Sequence, residues 1–424
     1  MTTLGARLDA ATRGLPAPLA VVDLDAFEAN AADLVRRAGG VPIRVASKSV
    51  RVRHLVAAAL ATPGFAGVMA YSLREALWLV ENGVDDVLMG YPTVDTGALH
   101  ELARDERAAA AITLMVDHVG QVDLAQRAAA AGGNPVGVCL DIDASLRLGV
   151  GRAVVHLGVR RSPVHTPRQA EVLAATLARR PGIEVRGVMF YEAQVAGLPD
   201  SDVLVRAVKR ASVRELDRRR ARVVDAVQQA TGEPLRLVNS GGSGSVGTSA
   251  GDPAVTEVTA GSGLLVPTLF DGYRAFEPRP AAFFGLDVVR LPGPGFATAF
   301  GGGYVASGPA TRSRLPRPVA PAGLALTPRE GAGEVQTPCA AGASTGSRSA
   351  TGSGSGTPRP ARSTSASPRC TSCAARPSSG PCRRTAARAA RSADRLPVVA
   401  PGATQGTRRP DRRVTRPLAG NLAG

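Results

Sequence analysis

The chain has 424 residues, room for two or three ordinary domains, and its 51 Lys and Arg against 35 Asp and Glu give a formal charge of +16. That charge is concentrated: residues 339–424 hold 15 Arg against two acids, Asp394 and Asp411, so they carry +13 and the body carries about +3. The nucleic-acid partner that so basic a whole would suggest is therefore not expected of the body. Cysteine divides the same way: Cys139 is in the body, while Cys339, Cys370, Cys373 and Cys382 follow the seam. One body cysteine argues against a disulfide scaffold and for a reducing compartment. The N-terminus lacks an apolar stretch behind a basic one, and no run approaches the ~20 apolar residues of a membrane span. A cytoplasmic protein without a membrane partner is expected.

In chain order, a strand-like LAVVDL (19–24) comes first. Eight short apolar runs follow: PIRVAS (42–47), GVMAY (67–71), DVLMGY (86–91), ITLMV (112–116), VGVCLDI (136–142), VRGVMFY (185–191), LRLVNSG (235–241) and EVTAG (257–261). Helical periodicity fills most gaps, with Ser72 and Thr166 at helix starts and Gly83 and Gly232 at helix ends. Continuous apolar strands alternating with helices predict a parallel sheet covered on both faces. Eight of them fit a closed (β/α)₈ TIM-type barrel of the α/β class; an open doubly wound sheet competes. AAFFGLDVVRL and FATAFGGGYVASG read as antiparallel β. The expected organisation is an N-terminal segment, 1–25, contributing to a β-rich domain; a barrel over 26–270; a smaller, incomplete β-rich domain over 271–338; and a tail over 339–424. The tail has no Phe, Trp, Tyr, His, Lys, Ile or Met, too little apolar surface to offset chain entropy, so disorder is expected of it.

Barrel function sits where strands end. Lys48 follows the first of the eight runs, where partial desolvation would lower its pKa toward a usable nucleophile; a surface lysine that merely follows a strand is the bland alternative. After the seventh run comes Asn239-Ser240-Gly241-Gly242-Ser243-Gly244-Ser245, and after the eighth Ala260-Gly261-Ser262-Gly263. Glycines let backbone N–H groups close on an anion, and barrels often bind phosphate with these two loops. Either loop alone reads as a flexible turn. Both together, with a lysine after the first run, point to a phosphate-bearing cofactor. Arg147 follows the fifth run and Tyr191 ends the sixth; each is a candidate for cofactor, substrate or proton-transfer contact, or a structural rim residue. His54, His100, His118, His156 and His165 show no metal-ligand spacing, and Cys370-x-x-Cys373 with Cys382 is half a zinc pattern without a histidine.

PLAVVDLDAFEAN, IRVASKSVR, YEAQ, NSGGSGS and EVTAGSG together resemble the alanine-racemase-type (fold type III) pyridoxal 5′-phosphate (PLP) proteins, closest to the D-serine dehydratase, D-threonine aldolase and amino acid deaminase/aldolase branch. The resemblance covers roughly residues 15–338. It implies a PLP Schiff base on Lys48 and catalytic or cofactor contacts from Arg147 and Tyr191. It places the phosphate among Ser240, Gly242, Ser243, Gly244, Ser245, Gly261 and Ser262. It also implies a homodimer, an amino acid substrate, and often a divalent metal held by the C-terminal β-domain. The implied activity is a D-amino acid lyase, a dehydratase/deaminase or aldolase on a D-β-hydroxy amino acid. Amino acid racemisation and cofactor binding without turnover are the alternatives.

The sequence departs from the family at the seam, where a histidine-bearing metal segment should follow EVQTP. No metal ligands are therefore assigned. An Arg/Ala/Ser-rich composition is what GC-rich coding DNA yields out of frame. Joining the last base of each codon to the first two of the next makes Ser353–Arg359 compatible with WFRHAK and Cys373–Ser392 with VRGTAVVGAVPTYRGEGRTF. A frameshift near Thr337–Pro338 is the expectation.

Overall fold

A computed structural model describes residues 3–149, 155–303 and 311–341. In chain order its strands are β1 (Leu19–Val22), β2 (Ile43–Ala46), β3 (Phe65–Ala70), β4 (Val87–Met89), β5 (Ile112–Val116), β6 (Val136–Ile142), β7 (Leu146–Leu148) and β8 (Val155–Leu157). Then come β9 (Ile183–Phe190), β10 (Leu237–Ser240), β11 (Glu257–Ala260), β12 (Ala282–Gly285), β13 (Val288–Gly293), β14 (Phe296–Phe300), β15 (Leu324–Leu326) and β16 (Gln336–Ala341). The eight predicted runs pair in parallel in the order β10-β11-β2-β3-β4-β5-β6-β9, and β9 bonds back to β10. The barrel is closed, and the open-sheet alternative is excluded.

Alternation along each strand divides the core. On β6, Val136, Val138, Leu140 and Ile142 pack outward with helix residues such as Leu173 and Leu177. Cys139 points inward to meet Leu88, Met115 and Met189. Toward the N-terminal end, buried Arg44 lies between Asp86 at 2.9 Å and Glu257 at 2.7 Å. The covering helices start and stop as the sequence predicts. Ser72 Oγ accepts from Glu75 N, Thr166 and Gln169 form a reciprocal cap, and Gly232 ends the Val203–Thr231 helix at φ +78°.

Outside the barrel, β1 pairs antiparallel with β12, and β13-β14-β16-β15 form a separate four-stranded antiparallel sheet. The N-terminal strand thus joins β12 and not the larger sheet. Strand β16 also corrects the predicted seam. Cys339, Ala340 and Ala341, assigned to the tail by composition, finish this strand, with Cys339 opposite Ala297 and Leu326. The rest of the tail, 342–424, and the disorder expected of it lie outside the described residues. Among the described residues no helix is long and apolar enough to cross a membrane.

Candidate active site at the barrel mouth

Lys48 sits in a single helical turn, Ser47–Val50, at the C-terminal end of β2. Buried Ser47 fixes that turn by donating to Met69 O at 3.1 Å and Glu75 Oε2 at 3.0 Å. Burial raises the Glu75 carboxyl above its ordinary range. Arg51 closes the turn at φ +53°, a strained conformation for a non-glycine residue, and its Nε donates to the Lys48 carbonyl. Lys48 is held by its backbone while its side chain is exposed, so the expected desolvation at the strand mouth is not found. Its Nζ donates to Tyr91 Oη at 2.7 Å. Tyr91 closes the DVLMGY run, and inspecting the end of every predicted strand would have found it.

Across the mouth, Tyr191 follows β9. Burial raises its phenol, against the opposing charge of Arg161. The Arg161 guanidinium lies 5.1 Å from the Tyr191 ring centre and 5.9 Å from that of Tyr91. The next residue, Ser162, ties the backbone here to β6: its hydroxyl donates to Asp141 O at 2.6 Å and accepts from Val164 N. Asp141, Asp143, Arg161 and Tyr191 line one recess. Burial, then the like charge of Asp117, pushes the Asp141 carboxyl up to about 7. Nothing in the run RRSPVH distinguishes Arg161 before the chain is folded.

Arg147 lies on the β7–β8 hairpin, 2.5 Å from Asp143 and about one-third exposed. Asp143 also accepts from Ser145 N and Oγ. Burial pushes its carboxyl up, but bonds from His165, Ser145 and Arg147 outweigh that and hold it well below the usual range. Arg147 is therefore already paired, whereas Arg161 faces the two tyrosines.

The two glycine-rich loops meet as predicted. Ser243 Oγ accepts from Gly261 N at 3.2 Å and Gly263 N at 2.8 Å, and Ser262 Oγ lies 3.4 Å away. Two backbone N–H groups thus converge on one oxygen, the geometry an anion oxygen would use. The approach requires glycine. A Cβ at Gly244 would stand 2.3 Å from Ala196 O, and one at Gly261 would stand 2.6 Å from Ala46 O. Tyr273 packs beside Gly244 with its hydroxyl on Ala196 O at 2.7 Å, and burial raises its phenol. Arg37 donates to Ser243 O at 2.9 Å.

Glu192 supports the first loop from behind. Its buried carboxylate accepts from Ser240 Oγ (3.1 Å), Gly241 N (3.3 Å), Ser245 Oγ (2.8 Å) and Ser249 Oγ (2.5 Å). Ser240 and Ser245 were both expected at the phosphate. Ser240 is fully buried and bonded to Arg220 as well, and the Ser245 hydroxyl is committed to Glu192 and Gly242 N. Both hydroxyls are thus engaged by partners within the protein. Among the described residues no group of three His, Cys, Asp or Glu is placed to hold a metal ion.

Lys48 thus follows the first barrel strand, and the glycine-rich loops after the last two strands meet through Ser243. Residues 22–267 match the family described as "Alanine racemase, N-terminal domain", and the chain belongs to that fold type III, PLP-dependent family. It is similar to the 3-hydroxy-D-aspartate aldolase of Paracoccus denitrificans (strain Pd 1222), 27% identical over 253 residues, 58% of this chain and 59% of that protein. The chain therefore spans about three fifths of the length of that curated relative. The fold is shared with D-threonine aldolase from Filomicrobium marinum (TM-score 0.63, 21% identity, 77% of this chain and 82% of that one). It is shared too with D-threo-3-hydroxyaspartate dehydratase from Delftia sp. HT23 (TM-score 0.58, 22% identity, 77% and 84%).

Proposed function

We propose that the chain is a PLP-dependent lyase acting on a D-β-hydroxy amino acid, by aldol cleavage or by dehydration and deamination, as a cytoplasmic homodimer. The observation that carries the reading is the convergence of Gly261 N and Gly263 N on one oxygen beside the strand end that bears Lys48. The names of the relatives, aldolases and a dehydratase of β-hydroxy amino acids, support the reaction class.

The residues present fit the cofactor. The amides of Gly261 and Gly263, with Gly244 and Ser262 beside them, would receive the phosphate, and Lys48 would hold the aldehyde carbon. When bound, PLP supplies an electron sink that lets a bond at the substrate α-carbon break heterolytically. Lys48 Nζ, steadied by Tyr91 Oη, is the group placed to take or return a proton at that carbon. Burial keeps Tyr191 protonated, so its hydroxyl is available to donate to a bound substrate. Glu192 keeps the first loop in shape without touching the reacting atoms. The described residues do not offer a metal site, so no step is assigned to a metal.

Incubation with D-threonine, D-serine, D-3-hydroxyaspartate and D-alanine tests the reading. Glycine or an oxo acid with ammonia from a β-hydroxy substrate supports it. Racemisation of D-alanine without either product contradicts it.

A further inference from the structure

Asp141 stands two positions beyond Cys139 on β6, so its side chain also points into the barrel, one layer nearer the C-terminal mouth. It is only 9% exposed. Its carbonyl accepts from Ser162, but among the described residues its carboxyl makes no hydrogen bond and no ion pair. Buried polar groups ordinarily find partners within the protein, so a buried carboxyl without one is suited to a ligand. The charged and titratable groups around it are Asp117 after β5, Asp143 just past its own strand, Arg161 and Tyr191, with Cys139 beneath. Burial, then Asp117, oppose its ionisation more than Arg161 favours it, so near neutral pH the carboxyl keeps its proton in a large share of molecules.

The recess that Asp141 shares with Tyr191, Arg161, Ala144 and Val159 measures about 10 Å³, room for about one water-sized group. A carboxyl, a phenol and a guanidinium line that volume. Side chains in contact join it to Lys48: Arg161 lies against the rings of Tyr191 and Tyr91, and Tyr91 Oη accepts from Lys48 Nζ. Hydroxide is a poor leaving group and water a good one, so loss of a β-hydroxyl calls for an acid that supplies a proton as the C–O bond breaks.

We propose that Asp141 is the acid that protonates the substrate's β-hydroxyl as it departs, and that the recess receives the water formed. The proposal rests on the PLP site described above and deepens it by assigning the elimination of water and the group that drives it. Lys48 takes the α-proton. The electron pair left at Cα forms the Cα–Cβ double bond, the Cβ–O pair goes to oxygen, and the Asp141 proton completes water. Lys48 then returns a proton to solvent and Asp141 takes one up, so the protein ends as it began. Hydrolysis of the released enamine yields an oxo acid and ammonia.

The test compares D-serine with β-chloro-D-alanine on PLP-loaded protein, because chloride leaves without a proton. Asp141→Asn keeps the shape and removes the acid. It is expected to slow pyruvate formation from D-serine at least about a hundredfold and to leave that from β-chloro-D-alanine little changed. D-alanine, which has no leaving group, should still perturb the cofactor's absorbance at the concentrations the parent needs. Infrared difference spectra add a readout free of turnover: the parent should show the C=O band of a protonated carboxyl at about pH 6, lost by about pH 9 and absent from Asp141→Asn. Equal slowing on both substrates, no slowing on D-serine, or no such band overturns the proposal. Should Asp141→Asn not fold, the parent alone decides. Its kcat/KM for D-serine relative to β-chloro-D-alanine should fall as pH rises through the titration of Asp141, and a ratio independent of pH overturns the proposal. A parent that cleaves D-threonine to glycine but forms no pyruvate from D-serine overturns it too and leaves the lyase reading standing. A parent that binds no PLP, or acts on none of these amino acids, brings down the site reading as well.

Discussion

Glu192 Oε1 lies 2.8 Å from Ser245 Oγ, and that hydroxyl in turn accepts from Gly242 N at 3.0 Å, so a buried carboxylate sets the shape of a loop assigned to an anion. The hydroxyl proton points to Glu192, which leaves the oxygen lone pair for the amide. Glu192→Gln keeps the volume but turns an NH₂ toward groups that already donate. Stability should fall by about 1–3 kcal/mol, and PLP should be held more weakly. Urea unfolding and cofactor titration measure both. Unchanged values would remove Glu192 from the loop's support.

Gly244→Ala should be more damaging than its size suggests. The new Cβ meets the Ala196 carbonyl oxygen and the Tyr273 ring, and backbone cannot step aside cheaply. A loss of about 1–3 kcal/mol is expected from the overpacking, with PLP retention lost. Gly232→Ala is the control: nothing lies within 4 Å of its added Cβ, and only the strain of φ +78° is incurred. Full cofactor occupancy in Gly244→Ala would displace the phosphate from this loop.

Asp141 should give stability a pH dependence of definite sign. Burial, then Asp117, raises its carboxyl from 3.8 to about 7. Between about pH 4 and pH 7 the folded protein keeps a proton that the unfolded chain has released. This group therefore favours the fold at low pH, and its contribution is lost as pH rises through that window. Asp141→Asn carries no charge at any pH. Its stability relative to the parent should rise between pH 4 and pH 8 by on the order of 1–3 kcal/mol. A difference that stays constant over that range contradicts the assignment.

The strands were readable because a parallel barrel buries both faces of each, which writes continuous apolar runs such as VGVCLDI. The glycine loops and Lys48 were readable because they follow such runs. The rest of the site depends on closure. Tyr91 and Tyr191 end strands that are not neighbours, and only the curved sheet turns them toward a common mouth. Glu192 looks like any residue after a strand until four donors from a loop some 50 positions later converge on it. Arg161 lies in an irregular segment, next to Ser162, whose hydroxyl bonds to Asp141 O. Composition misplaced Cys339 because small residues without aromatics still pair along β16 through their backbones.

The change of composition after Pro338 gives a test independent of the barrel. We propose that a chain whose reading frame is shifted there gains histidine and aromatic residues. We expect it to dimerise more tightly and to show lyase activity sensitive to a chelator, measured side by side with the present chain on D-serine and D-threonine. Equal activity in the two proteins would make the arginine-rich segment a working part of the protein.

The central claim is that Lys48 holds PLP at the mouth of this barrel. Borohydride reduction of the PLP-loaded protein, followed by peptide mapping, tests it most directly. The account predicts a reduced pyridoxyl group on the peptide containing Lys48, and none after Lys48→Ala. Label on Lys209, the only other lysine of the chain, or a protein that takes up no PLP, would contradict it.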